Sequence, residues 1–405
     1  MTIARREFLA GLGAVGATTA LGCGQSPATQ QAAATQAPAS PPPMQKGNYS
    51  KPVIDLHFHW YPKEFMDLLE KEGAANGARV SHGKNGELVV QTPVYKRGFN
   101  GEEIILKPTG GGGGGGGEGG GNSRFGDKLK TDVAAMIKDM DDAGIDMDVC
   151  SQTNPHVLWA PPAFGLKLAQ AINDGTSRLH QENPKRFLGT ITLPLQDVKL
   201  SLQELERARQ LPGMPAVNII ENVRGKNPGD ESFWPIWARC EQLGLPLFLK
   251  NVDTISERMT DANASQMNII SNPFEATIAA ASLMLSGALD EFPKLDVYLP
   301  HAGGFFAFVT PRIDHSMRNS IGRGKMKQTA SAYLRRFHYD LILHSPKLTR
   351  TLIDQVGADR VACGTDRPQG MAIFKPVEYV EAIPGITKRE AEMILCENPA
   401  RLLKL

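Results

Sequence analysis

The feature that most limits the fold of this chain is a repeat of short β-rich runs separated by longer amphipathic stretches. The runs fall at 53–58, 145–151, 187–193, 216–220, 246–249, 295–299, 337–343 and 360–363. Between most of them apolar residues recur at helical spacing, as in 131–140, 164–182, 199–211, 233–243 and 274–290. Strands joined by helices run parallel, and eight of them predict a (β/α)8 TIM barrel of the ~250-residue kind, enlarged by loops. A doubly wound open sheet is the alternative, and the lack of a glycine-rich dinucleotide turn after the first run counts against it.

The largest enlargement lies between the first two runs, over residues 61–125. It contains an unbroken glycine tract at 110–117, then Glu118 and three further glycines. Glycine loses too much conformational freedom on ordering to build a regular element, so this insertion is expected to be long and flexible. No Lys-Ser/Thr pair follows the tract, which excludes a phosphate-binding loop.

The ends of the chain differ in kind. Residues 1–23 carry Arg5 and Arg6, a short Ala/Gly-rich apolar run and then Cys23, and resemble a twin-arginine export signal of lipoprotein type. The expectation is export to the periplasm by the twin-arginine machinery, with a lipid anchor at Cys23. The usual leucine three places before that cysteine is here Ala20. Residues 24–50 have hardly any large apolar side chain and are expected to be a disordered linker, which leaves 51–405 as the folded body. Over the whole chain the formal net charge is +1, without a basic stripe, so nothing favours nucleic acid. Cys150, Cys240, Cys363 and Cys396 lie in oily segments without metal-finger spacing and are expected to be buried thiols.

Candidate chemistry begins at Asp55-Leu56-His57-Phe58-His59. Alternate residues of a strand share a face, so His57 and His59 project together about 6.5 Å apart, a spacing suited to one metal ion. At the C-terminal end of a barrel strand that face is the mouth of the active site. Two further stretches end strands in the same way, Leu299-Pro300-His301-Ala302-Gly303 and Gly364-Thr365-Asp366-Arg367-Pro368.

DLHFHWYP, the stretch NPFEATIAAASLMLSGALDEFPKLDVYLPHAGG and RVACGTDRP together resemble the amidohydrolase superfamily, in the branch around aminocarboxymuconate semialdehyde decarboxylase. The resemblance runs over roughly residues 51–405 and keeps the motifs in order. It implies a barrel with a divalent ion at its mouth, zinc or manganese. His57 and His59 match the first two ligands, Asp366 the ligand after the eighth strand, and His301 the histidine that handles protons or polarises substrate. The implied activity is hydrolysis or non-oxidative decarboxylation of a small carboxylate or carbonyl compound. Enzymes of this branch are often homodimers.

Lys250 departs from that pattern. The run Leu245-Pro246-Leu247-Phe248-Leu249 closes on an amine where the family has a histidine ligand. An ammonium about 4 Å from a divalent ion is repelled by several kcal/mol even at an effective dielectric near 20. Four arrangements reconcile the two. Lys250 is neutral and ligates the ion, or is carboxylated and ligates it as an anion; its ammonium replaces the ion, as metal-independent lactonase relatives imply; or it swings aside. A non-catalytic exported binding protein on the same barrel is the reading from another class.

Other residues carry weaker expectations. His156 and His344 stand near strand ends, whereas His82, His180, His315 and His338 are placed away from the mouth. Lys96 and Arg97 are candidate carboxylate clamps, and Trp60, Trp159 and Phe305 candidate pocket walls.

Overall fold

The computed structural model describes residues 49–97, 103–106, 122–250, 264–319 and 324–405. The expectations for the export signal, Cys23, most of the linker and the glycine tract lie outside them. Among the described residues no helix is long and apolar enough to cross a membrane.

Seven parallel strands form one sheet in chain order: β1 Ile54–His59, β2 Met147–Ser151, β3 Phe187–Thr192, β4 Ala216–Ile220, β5 Leu247–Lys250, β6 Val297–Leu299 and β7 Phe337–Tyr339. Each coincides with a run read from the sequence. The eighth run closes the ring by single bridges: Tyr339 pairs with Val361 and Phe58 with Arg367, both parallel. Backbone bonds Ala362 N to Tyr339 O at 2.9 Å and Leu56 N to Cys363 O at 3.0 Å stitch the seam. The fold is therefore the expected α/β barrel, with an eighth segment too irregular to form a full strand.

The barrel is filled rather than hollow. Leu56, Val149, Phe248, Tyr298 and Ala362 form an inner layer, and Leu402 and Leu403 of helix Asn398–Leu403 join it. Phe248 and Tyr298 meet with ring centroids 4.9 Å apart. Gly364 is required here, because an added Cβ would lie 2.0 Å from the Tyr298 hydroxyl and 3.1 Å from the His57 Cβ.

Helices Val133–Ala143, Pro162–Glu182, Val198–Ala208 and Trp234–Leu243 fall where the apolar spacing places them. Two of them begin on aspartates, Asp132 and Asp197, whose carboxylates accept first-turn N–H groups. Two differences stand out. Helix Ala264–Leu285 starts well before Phe274 and runs through Pro273, and the seventh strand stops at Tyr339 rather than continuing to 343. The strand stops because Asp340 spends its carboxylate on backbone N–H groups, including that of Ile342 at 3.0 Å, and turns the chain.

The insertion after β1 has regular structure of its own. Helix Lys63–Glu72 is followed by an antiparallel sheet of Arg79–His82, Leu88–Gln91 and Asn122–Arg124 and by a hairpin of Val94–Arg97 with Glu103–Leu106. Lys96 and Arg97 lie on that hairpin. Near the other border of the described residues Tyr49 donates to Glu381 at 3.0 Å. Cys150, Cys240, Cys363 and Cys396 are buried and free, as expected.

Candidate metal and substrate site

Two strand ends, those of β1 and of the eighth segment, bring His57, His59 and Asp366 into one cluster. Their potential ligand atoms all lie within 4.8 Å of one another, and all three side chains are buried. His59 Nε2 is 2.8 Å and His57 Nε2 3.4 Å from the same oxygen, Asp366 Oδ1. On its other side His57 Nδ1 lies 3.0 Å from Asp340 Oδ2. That contact suits an Nδ1–H donating to Asp340 and leaves the Nε2 lone pair aimed at the cluster, the tautomer a metal ligand needs. His57 Nε2 has no hydrogen-bond partner, although it is fully buried. Two imidazoles and a carboxylate with an orphaned lone pair fit a divalent ion of the zinc or manganese kind.

His301 joins them from the turn after β6. Its ring lies 6.0 Å from that of His57. The turn is strained: His301 has φ 50° and Ala302 φ 53°, left-handed conformations that cost non-glycine residues about 1 kcal/mol or more each. Asp340 holds it in place, accepting N–H groups from His301 at 2.9 Å and Ala302 at 2.6 Å. Two residues on, an added Cβ at Gly304 would sit 1.9 Å from the Pro273 carbonyl oxygen, so only glycine lets the turn press against helix Ala264–Leu285.

Lys250 is buried at the end of β5 with its Nζ unpartnered. Burial depresses its pKa to about 8, although Asp366, Asp340, Asp55 and Glu221 oppose the fall. Its charge reaches the other groups, because after burial it is the strongest influence lowering His57. His301 is brought down to about 4, by burial first, with Asp366 opposing and Lys250 assisting. At neutral pH His301 is therefore an uncharged imidazole. Asp366 stays below the ordinary carboxylate range: burial pushes it up, but the hydrogen bond and charge of His59 outweigh that. Asp340 is raised to about 7 by burial, which its backbone donors and Lys250 only partly offset.

The structure thus brings His57, His59, Asp366, His301 and Lys250 to one mouth. His344 is exposed, whereas His156 accepts the Leu158 N–H at 3.0 Å on Nδ1. His180 is not solvated as a surface helix position suggests, because its Nδ1 sits 2.7 Å from the Phe187 carbonyl. Trp60 and Trp159 pack in the core, and Phe305 stacks edge-on against Phe274 at 5.3 Å. Asp340 escaped the sequence reading although it touches both histidine elements. Its signal is an acid that interrupts the β-rich run 337–343 after Phe337-His338-Tyr339.

The family profile described as Amidohydrolase matches residues 54–405. The 2-amino-3-carboxymuconate-6-semialdehyde decarboxylase of Dictyostelium discoideum is 28% identical over 359 residues, covering 87% of this chain and 91% of that protein. A gamma-resorcylate decarboxylase from a Rhizobium species is 28% identical over 292 residues, covering 66% of this chain and 86% of that protein. Among solved structures, 2,6-dihydroxybenzoate decarboxylase complexed with 2,6-dihydroxybenzoate superposes with a TM-score of 0.61 at 26% identity, covering 68% and 89% of the two chains. A dihydroxybenzoic acid decarboxylase from a Polaromonas species, solved with bound manganese and 2-nitroresorcinol, superposes with a TM-score of 0.65 at 21% identity, covering 88% and 97%, a likeness of fold.

Proposed function

The chain belongs to the amidohydrolase family, and on that premise we propose that it is a metal-dependent carboxy-lyase. It removes carbon dioxide without oxidation from a small unsaturated or aromatic carboxylate. The observation that carries this reading is the buried His57, His59 and Asp366 cluster with the unpartnered Lys250 amine beside it. The named relatives are decarboxylases, which favours carbon dioxide release over hydrolysis.

His57, His59 and Asp366 would hold the ion, which supplies Lewis-acid stabilisation of negative charge on substrate oxygen. Lys250, as an ammonium drawn first by Asp366 and then by Asp340, Asp55 and Glu221, grips the substrate carboxylate. Asp366 takes up a proton and delivers it to the carbon that bears the carboxyl group. The bond to the carboxyl carbon then breaks, its electron pair returns to the unsaturated system, and carbon dioxide leaves. His301, uncharged, donates a hydrogen bond to the oxygen on which charge builds. Asp340 keeps His57 and the His301 turn in position throughout.

The test is to load the protein with manganese or zinc, count bound metal by elemental analysis, and follow carbon dioxide release from 2,6-dihydroxybenzoate and salicylate. Bound metal at one ion per chain with release supports the reading; turnover of lactones by metal-free protein and none of carboxylates favours a Lys250-dependent lactonase instead. Carbon-13 NMR after labelled bicarbonate detects a carbamate on Lys250. The Arg5-Arg6 signal supports export, which fractionation of cells expressing the full chain checks, with labelled-lipid incorporation at Cys23 as the anchor test.

A further inference from the structure

Lys250 has a counterpart on the neighbouring strand. β4 ends Ile219-Ile220 and runs into Glu221, an apolar run closed by a charge, as β5 is closed by Lys250. The strands are in register with Ile220 opposite Lys250, and the Glu221 N–H donates to the Lys250 carbonyl at 2.9 Å. Glu221 is fully buried, and among the described residues neither carboxylate oxygen has a hydrogen-bond partner; the Lys250 Nζ has none either. The two side chains feel one another's charge, and Glu221 also feels Asp340 across the mouth. Burial, joined by Glu275, holds the Glu221 carboxyl well above its ordinary range, with Lys250 opposing.

A buried polar group left without a partner costs free energy, more so when it is charged, and two such groups on neighbouring strand ends relieve that cost by meeting. Here no hydrogen bond joins them. The arrangement fits a molecule placed between, which offers an anion to one group and a donor to the other. We propose that Glu221 and Lys250 are a two-point clamp: Lys250 holds the substrate carboxylate, and Glu221 accepts a hydrogen bond from an amino or hydroxyl group on the same small molecule. This rests on the carboxy-lyase reading for the fate of the carboxylate, but the binding step needs no turnover. Glu221 is thereby a specificity-determining residue, selecting acids that carry an adjacent donor over plain ones.

The experiment measures binding of benzoate, salicylate and 2-aminobenzoate by calorimetry, to manganese-loaded and to chelator-treated protein. Wild type is expected to bind the two donor-bearing acids about tenfold tighter than benzoate in both states, the scale of one buried hydrogen bond. Glu221→Leu, which removes the acceptor, reduces the 2-aminobenzoate advantage to below about threefold, whereas Lys250→Met weakens all three acids at least about tenfold. Equal binding of the three acids by wild type overturns the clamp, and so does selectivity that survives Glu221→Leu or appears only with manganese. A lower unfolding midpoint in Glu221→Leu with selectivity intact makes Glu221 a structural residue and also overturns it. If that variant does not fold, the wild-type series decides alone. Selective binding without carbon dioxide release from any acid leaves the clamp standing and sinks the carboxy-lyase reading.

Discussion

Two groups of buried charges share this barrel and are treated in opposite ways. Where β1, β2 and the eighth segment meet, Arg367 is fully buried and surrounded by acids. Its guanidinium reaches Asp148 and Asp139 at 2.9 Å each and Asp55 at 3.6 Å, and lies over the Phe58 ring at 5.4 Å. Asp55 in turn accepts N–H groups from His57 and Thr365, both at 3.0 Å. On the β4 and β5 side, Lys250 and Glu221 are as deeply buried and have no hydrogen-bond partners. The first group is satisfied from within except at Arg367 Nη1, which meets Asp55 as an ion pair without a hydrogen bond, and it fixes the strand that carries His57 and His59. The second keeps its capacity for a ligand and stands at a cost to the fold.

That contrast can be broken by substitution. Arg367→Met leaves Asp55, Asp148 and Asp139 facing one another, and the expected loss is about 3–5 kcal/mol by chemical denaturation. A smaller loss would mean that the network is no stronger than an apolar filling. Lys250→Met is expected to raise stability by about 3 kcal/mol at pH 7 while abolishing turnover, because the folded chain no longer buries an amine whose pKa has fallen from 10.5 to about 8. The sign follows from proton binding. Below pH 8 both folded and unfolded chains keep the proton and the wild-type deficit is complete; between 8 and 10.5 the folded chain sheds it first, so the deficit closes as pH rises. A stability difference that stays flat across that window would show that Lys250 has a partner in solution.

A finer contrast concerns the residue between the two groups. Asp340→Asn keeps the shape but weakens the hold on the His57 ring and the His301 turn, so metal affinity should drop about 10–100-fold in chelator competition. An unchanged affinity would reduce Asp340 to a turn-forming residue. Smallest of all, removing the exposed Lys138 partner of Asp142, 2.5 Å away on the helix surface, should leave the unfolding midpoint unmoved.

The sequence made the barrel legible because its rhythm is local: apolar runs of strand length, apolar stripes of helix length, and turns between. The histidine pair was legible for the same reason, two positions apart on one strand. Asp340 and Glu221 were not, since a single acid at a strand end carries no pattern until the ring is closed. Asp340 meets His57 across 283 positions of sequence. Yet Glu221 bore the signal that made Lys250 conspicuous, a charge closing an oily run, and AVNIIE and PLFLK ask the same question on adjacent strands. The helix through Pro273 was hidden by the opposite error, in which a local breaker is overruled by packing against the His301 turn.

The seam between the eighth segment and β1 also sets a timetable. His59 and Asp366 are 307 positions apart, and their contact exists only after the last quarter of the barrel has been laid against the first strand. Until then β1 is an open edge, able to pair with another chain. Long-range closure of this kind is slow. A ligand set of His57, His59 and Asp366 would be complete only on ring closure, so metal uptake during refolding is expected to lag the recovery of helical signal and to coincide with protection of the β1 amides.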